Sequence, residues 1–245
     1  MLGYRNGVGG AALGAHKGYS LRGRSAIHTD GRASRIFAPV TAFMAVASLL
    51  AGAVSAEVTV VCLGDSLTEG YGVERDQAYP ALLEQRLRAL GHDDVRVVNA
   101  GIGGATTASA VWRLRWHLRT RPDIVIIGLG ANDPLVGMTL DQTRANLDAS
   151  LSAAKRSGAR VVLAGIRYPP FLLPAYTIAL ANLYPELAAK HDVALVPFLL
   201  EGVAGNPALN LRDGIHPNPE GYEIVVDNVL AVIEPLLTKR IEPGE

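Results

Sequence analysis

The chain has 245 residues, 49% hydrophobic and 19% charged, enough for one globular domain with an ample core. Its 23 basic and 23 acidic residues balance formally, but the first 56 residues hold six Lys/Arg and a single acid, Asp30, which leaves residues 57–245 at a formal net charge of −5. A body of that sign is not a nucleic-acid binder by electrostatics, and a lone cysteine, Cys62, excludes an internal disulfide and a Cys-based metal site.

Residues 1–35 are rich in Gly, Arg, Ser and Ala and show no apolar periodicity. Ile36–Val54 is then uncharged and apolar, and it runs into Val54-Ser55-Ala56. A positive flank, an apolar run and small residues at −3 and −1 read as a secretory signal, with cleavage expected after Ala56 and a periplasmic or secreted product. The competing reading is an uncleaved N-terminal membrane anchor, since the run is nearly long enough to span a bilayer. The chain thus divides into a leader, 1–56, and one domain, 57–245. Cys62 lies too far past the cleavage site to be a lipoprotein cysteine and reads as a small buried residue of a strand.

After residue 56 the pattern alternates. Apolar runs of β-formers occur at Val58–Leu63, Val95–Asn99, Ile124–Leu129, Val161–Ile166 and Val193–Pro197. Helical patterns fall between them, at Ala78–Leu90, Thr106–Arg119, Leu140–Ser157 and Pro174–His191, with a last one at Glu220–Leu237. Gly91 and Gly158 follow helix ends, and Thr139 precedes Leu140-Asp141-Gln142 as a cap. Strands apolar on both faces, separated by amphipathic helices, predict an α/β protein: a five-stranded parallel sheet with helices on both faces. In such sheets, sites form beyond the carboxyl ends of the strands.

The residues that follow each strand are therefore the informative ones. The first strand ends in Gly64-Asp65-Ser66-Leu67, an ordinary turn sequence by itself, yet also a place where a serine hydroxyl and unpaired backbone N–H groups are exposed together. The second is followed by Asn99-Ala100-Gly101-Ile102-Gly103-Gly104-Ala105-Thr106. That loop lacks the G-x-G-x-x-G spacing and the lysine of a phosphate loop, and it fits better as a source of backbone oxyanion donors. The third is followed by Gly130-Ala131-Asn132-Asp133, where Asn132 is either a turn residue or a side-chain donor to the same oxyanion. A late loop reads Asp213-Gly214-Ile215-His216-Pro217.

Residues 57–245 contain four histidines. His92 and His191 sit at helix ends, where the helix dipole favours a cation. His117 stands beside Arg113, Arg115 and Arg119 and is expected on a solvated face. Only His216 has an acid three residues before it in a loop. A tight turn can set the Asp213 carboxylate on His216 Nδ1 and leave Nε2 to face a serine. One histidine with one aspartate gives too few ligands for a metal site.

Four blocks in this order resemble the SGNH (GDSL-type) hydrolase superfamily: Gly64-Asp65-Ser66-Leu67, the Gly101–Gly104 loop, Gly130-Ala131-Asn132-Asp133 and Asp213-Gly214-Ile215-His216-Pro217. The resemblance covers Glu57 to Leu237. Ile166-Arg167-Tyr168-Pro169-Pro170, Tyr184-Pro185-Glu186-Leu187 and Leu195-Val196-Pro197-Phe198 look most like its bacterial arylesterase, acyl-CoA thioesterase and lysophospholipase branch. It implies a three-layer flavodoxin-like sandwich with Ser66 as nucleophile, His216 as general base then acid, and Asp213 as the orienting acid. The oxyanion hole would comprise the N–H groups of Ser66 and Gly104 and the Asn132 side chain. Asp65 is then not the triad acid but the residue that holds the turn. Many relatives carry a polar residue, often acidic, where this chain has Ala105, which leaves open how the loop is held and which acyl chains fit.

The expected activity is hydrolysis of small-molecule acyl or aryl esters or thioesters through an acyl-enzyme, without metal or cofactor. No nucleic-acid partner is expected, and lipid contact would be transient. Tyr168–Pro174 and Phe198–Leu211 are apolar enough to border an acyl groove, or simply to pack as connecting segments. Two other functions are compatible with the fold: a carbohydrate O-acetylesterase with the same triad, and a non-catalytic cell-envelope binding domain.

Overall fold

Each of the five apolar runs forms a strand. In the computed structural model, which describes residues 57–168 and 174–238, these are β1 (Val58–Gly64), β2 (Val95–Gly101), β3 (Ile124–Gly128), β4 (Arg160–Ala164) and β5 (Ala194–Val196). The expected leader, 1–56, and part of one expected groove border, 169–173, lie outside the described residues. All pairings are parallel and the order is β2-β1-β3-β4-β5, the flavodoxin-like arrangement. β1, β3 and β4 are buried almost throughout, which is why their sequences are apolar without alternation. β2 lies at an edge, and its Arg96 and Asn99 are exposed.

The helices are α1 (Ser66–Glu69), α2 (Tyr79–Ala89), α3 (Ala110–Leu118), α4 (Leu140–Arg156), α5 (Pro174–His191) and α6 (Pro219–Thr238). Right-handed crossovers put α2 on one face of the sheet, where it packs against α6, and α3, α4 and α5 on the other, where neighbours pack in sequence. Leu83 and Leu87 of α2, Leu147 and Leu151 of α4, and Val226, Val229 and Ile233 of α6 are fully buried beside the strands. Each such side chain contributes about 1.5–3 kcal/mol of burial energy. Thr139 caps α4 through a reciprocal box with Gln142, and Gly91 and Gly158 adopt positive φ after α2 and α4, as their positions in the sequence predict.

Element ends differ from the sequence expectation by up to four residues. The largest shift is at α3, where the turn Thr107–Ser109 is a 3-10 segment and the α-helix starts at Ala110. The segment 198–211 forms turns that bury Leu199 and Val203 in the core, so those two residues serve packing.

Three glycines align across the carboxyl end of the sheet: Gly101 of β2 and Gly128 of β3 flank Gly64 of β1 in register. A Cβ on Gly64 would strike the Thr68 side chain, and one on Gly101 would strike the backbone of Glu69. These two glycines let α1 settle directly onto the ends of the strands. Ser66 is thereby held at the rim.

Candidate active site

Asp65 starts the turn. It is the N-cap of α1, and its Oδ1 accepts the Leu67 N–H at 3.0 Å, so it holds the turn as the sequence predicts. Ser66 is the first residue of the helix, which ends at Gly70 in left-handed backbone. The next residue, Tyr71, is half-exposed, and its ring lies 4.5 Å, centre to centre, from the His216 imidazole.

His216 comes to Ser66 on a loop built for the purpose. Asn210 pairs with Pro217 across the base of that loop and anchors it through Nδ2 to the carbonyls of Val203 (2.7 Å) and Asn206 (2.8 Å). Gly214 takes the positive φ that the turn requires. Asp213 Oδ1 accepts the N–H groups of Ile215 (2.9 Å) and His216 (3.0 Å), and Oδ2 accepts from His216 Nδ1 at 2.7 Å. His216 Nε2 then stands 2.9 Å from Ser66 Oγ. Burial alone would raise the Asp213 carboxyl; the two backbone donors and the imidazole outweigh it and hold the group at about 2. A carboxylate fixed in this way keeps a proton on Nδ1 and presents Nε2 to the serine as an acceptor.

The other two expected site residues are brought to the same rim. The Ile102 N–H donates to the Gly64 carbonyl at 3.2 Å, tying the glycine-rich loop to the residue that precedes Asp65. Gly104 lies exposed at the tip with φ +72, and neither its N–H nor that of Ser66 is used in a hydrogen bond among the described residues. Asn132 Nδ2 donates to the Ala105 carbonyl at 3.0 Å, which leaves its second N–H available. With Ala105 in place of a polar residue, the loop is held through its backbone, by Asn132 and by Ala105 N–H to Ile102 O (3.0 Å).

Two buried charged residues, Asp65 and Arg113, lie beneath the site. Arg113 is 4% exposed, and its Nη2 donates to the carbonyl oxygens of Gly64 (3.0 Å) and Ala100, at the ends of β1 and β2. The arginines of α3 therefore do not share one solvated face. Arg113 lies beside Ala110 and Leu114 on the inner stripe, while Arg115 and Arg119 are exposed. His117 is half-buried rather than solvated, and burial, followed by the Arg113 charge, lowers its affinity for a proton. The signal was present in the spacing, since residues 110, 113, 114 and 117 follow one helical stripe. Burial also lowers the Arg113 pKa, against the opposing pull of Asp65. Asp65 is 1% exposed; burial pushes its carboxyl up to about 6, with partial relief from the N–H groups of Leu67 and Asp65 itself, then His216 and Arg113.

His191 stands 2.8 Å from Asp148, as a surface partner away from this site. No cluster of three or more His, Cys, Asp or Glu suited to a metal occurs among the described residues.

A parallel sheet of this order, with a serine, an imidazole and a carboxylate in hydrogen-bonded sequence at its carboxyl rim, is the frame of a serine hydrolase of α/β class. The chain belongs to the GDSL-like lipase/acylhydrolase family, whose model matches residues 62–224, and it is a carboxylic ester hydrolase. Esterase TesA of Pseudomonas aeruginosa is 40% identical over 184 residues, spanning 75% of this chain and 91% of that protein. Thioesterase 1/protease 1/lysophospholipase L1 of Escherichia coli K12 is 35% identical over 190 residues, 77% of this chain and 89% of that one. A crystal structure of TesA superposes with a TM-score of 0.70 at 40% identity, covering 73% of this chain and 99% of the other.

Proposed function

We propose that Ser66, His216 and Asp213 act as a catalytic triad that hydrolyses acyl or aryl esters and thioesters through an acyl-enzyme. The observation that carries this reading is the continuous chain from Asp213 Oδ2 to His216 Nδ1 (2.7 Å) and from His216 Nε2 to Ser66 Oγ (2.9 Å). Ser66 Oγ attacks the carbonyl carbon while His216 Nε2 takes its proton. The N–H groups of Ser66 and Gly104 and the free N–H of Asn132 receive the negative charge on the carbonyl oxygen. His216 returns the proton to the leaving alcohol or thiol, and water repeats the cycle on the acyl-serine. Asp213 keeps the imidazole oriented and stabilises it when charged.

Exposed apolar side chains stand close in sequence to the site residues: Tyr71, Ile102, Leu135 and Ile215. They favour acyl or aryl groups over polar sugars, and the thioesterase and lysophospholipase named among the relatives point the same way. Rates of the purified enzyme on p-nitrophenyl esters of rising length, acyl-CoA, lysophospholipid and an acetylated sugar test the substrate class. A preference for the acetylated sugar would overturn it.

Residues 1–56 act as a leader removed after Ala56, which delivers the hydrolase to the periplasm or the medium. The supporting features are the basic flank, the apolar run Ile36–Val54 and the small residues Val54-Ser55-Ala56. N-terminal sequencing of the exported protein should begin at Glu57; a retained leader would show an anchor instead.

A further inference from the structure

The chain has two tryptophans, and both stand on the outer face of one helix. Trp112 and Trp116 of α3 are 65% and 66% exposed, one turn apart, so their rings share a face. Arg115 and Arg119 are exposed beside them, and the Arg119 guanidinium lies 5.2 Å from the centre of the Trp116 ring. Neither arginine makes an ion pair among the described residues. Between Asp94 and Asp123 the sequence has no acidic residue; of its five arginines, Arg115, Arg119 and Arg121 are exposed, whereas Arg113 is buried and Arg96 pairs with Glu57 at 2.8 Å. In a domain of net charge −5, that is a local reversal of sign.

The chemistry of this face selects its occupant. Indole rings prefer the headgroup level of a bilayer, where the apolar ring and the N–H are both accommodated, and arginines there reach lipid phosphates. The helix also follows the loop that carries Gly104. Trp112 lies in the first turn of α3, eight residues after Gly104, at the helix end nearest the strand carboxyl rim. Leu135 and Val136, 74% and 63% exposed, follow Asn132 in the turn that Asp133 ties to Thr107 just before α3.

We propose that the outer face of α3 docks the protein on an anionic lipid bilayer, with Trp112 and Trp116 at the headgroup boundary and Arg115 and Arg119 on lipid phosphates. Docking places the carboxyl rim of the sheet beside the lipid surface. It does not depend on which ester is hydrolysed.

Tryptophan emission of the full chain reports on this face alone, whatever the rest of the chain does, because no other tryptophan is present. The full chain is titrated with vesicles of mixed phosphatidylglycerol and phosphatidylcholine, and with vesicles of phosphatidylcholine alone. The expected result is a blue shift, with quenching by brominated acyl chains, on the anionic vesicles only. Replacing two basic residues together, Arg115→Gln with Arg119→Gln, should weaken the emission-detected affinity about 30-fold, while hydrolysis of a soluble ester is unchanged. An emission spectrum unmoved by anionic vesicles would overturn the proposal, even if the chain sediments with them. So would an equal shift on both vesicle types. A blue, concentration-dependent emission without lipid would assign the face to a second copy of the chain instead.

Discussion

Asp133 accepts both the backbone N–H (2.9 Å) and the hydroxyl (2.5 Å) of Thr107. Through that pair the loop after β3 is tied to the loop after β2, and each of these loops carries one of the proposed oxyanion donors. The carboxylate is fully buried, and it also accepts the Thr143 hydroxyl at 2.6 Å, which fastens both loops to α4. Three donors converge on one acid.

Removing that acid should loosen both loops together. Asp133→Ala strands a buried N–H and removes the buried acceptor of two hydroxyls, a cost of about 3 kcal/mol in unfolding free energy. Urea unfolding measures the loss, and kcat for p-nitrophenyl acetate should fall in the protein that remains folded. Asp133→Asn keeps the shape and part of the network, so it should recover part of both quantities. Equal damage from the two substitutions would contradict the account.

Asn132 is placed to act in the transition state more than in binding. An oxyanion donor is worth about 3 kcal/mol, so Asn132→Ala should lower kcat by about 100-fold, with a small change in KM. The side chain also holds the Ala105 carbonyl, so its loss should make the glycine-rich loop more open to amide exchange. A rise in KM at unchanged kcat would assign Asn132 to substrate binding instead.

The buried Asp65 gives a pH dependence of stability whose sign follows from its raised pKa. Burial lifts the carboxyl from its ordinary 3.8 to about 6 in the folded protein. The folded state therefore retains a proton that the unfolded chain releases at lower pH. The contribution of this group to stability is whole below the unfolded pKa and falls as pH rises through the folded one. The shift corresponds to about 3 kcal/mol. Urea midpoints between pH 4 and 8 should fall in the parent protein and flatten in Asp65→Asn. Arg113→Met, which removes the nearby cation, should move the loss to higher pH. An unaltered pH slope in Asp65→Asn would contradict this assignment.

Much of this architecture is legible in the sequence because the informative residues stand where strands end. β1 is a run of β-formers that stops at Gly64, and the residue that must be exposed follows at once. The pairing of Ser66 with His216 spans 150 positions. It was reachable because His216 alone has an acid at the spacing of a tight turn. Arg113 is not legible in the same way, since an arginine among arginines looks solvated until the stripe through Ala110 and Leu114 is counted. Tyr71 gave no signal in the sequence; its contact with the imidazole exists because two turns distant in sequence meet at the rim. Asp133 was visible as part of a motif. Its role was not, because Thr107 and Thr143 come from two other elements.

The most direct test of the central claim, that Ser66 is the nucleophile activated by His216, is covalent labelling with a fluorophosphonate followed by peptide mass spectrometry. One equivalent should attach to Ser66, hydrolysis should stop in step with labelling, and both should vanish in Ser66→Ala. His216→Ala should retain Ser66 but label it far more slowly. Labelling at another residue, or full esterase activity in Ser66→Ala, would contradict the mechanism.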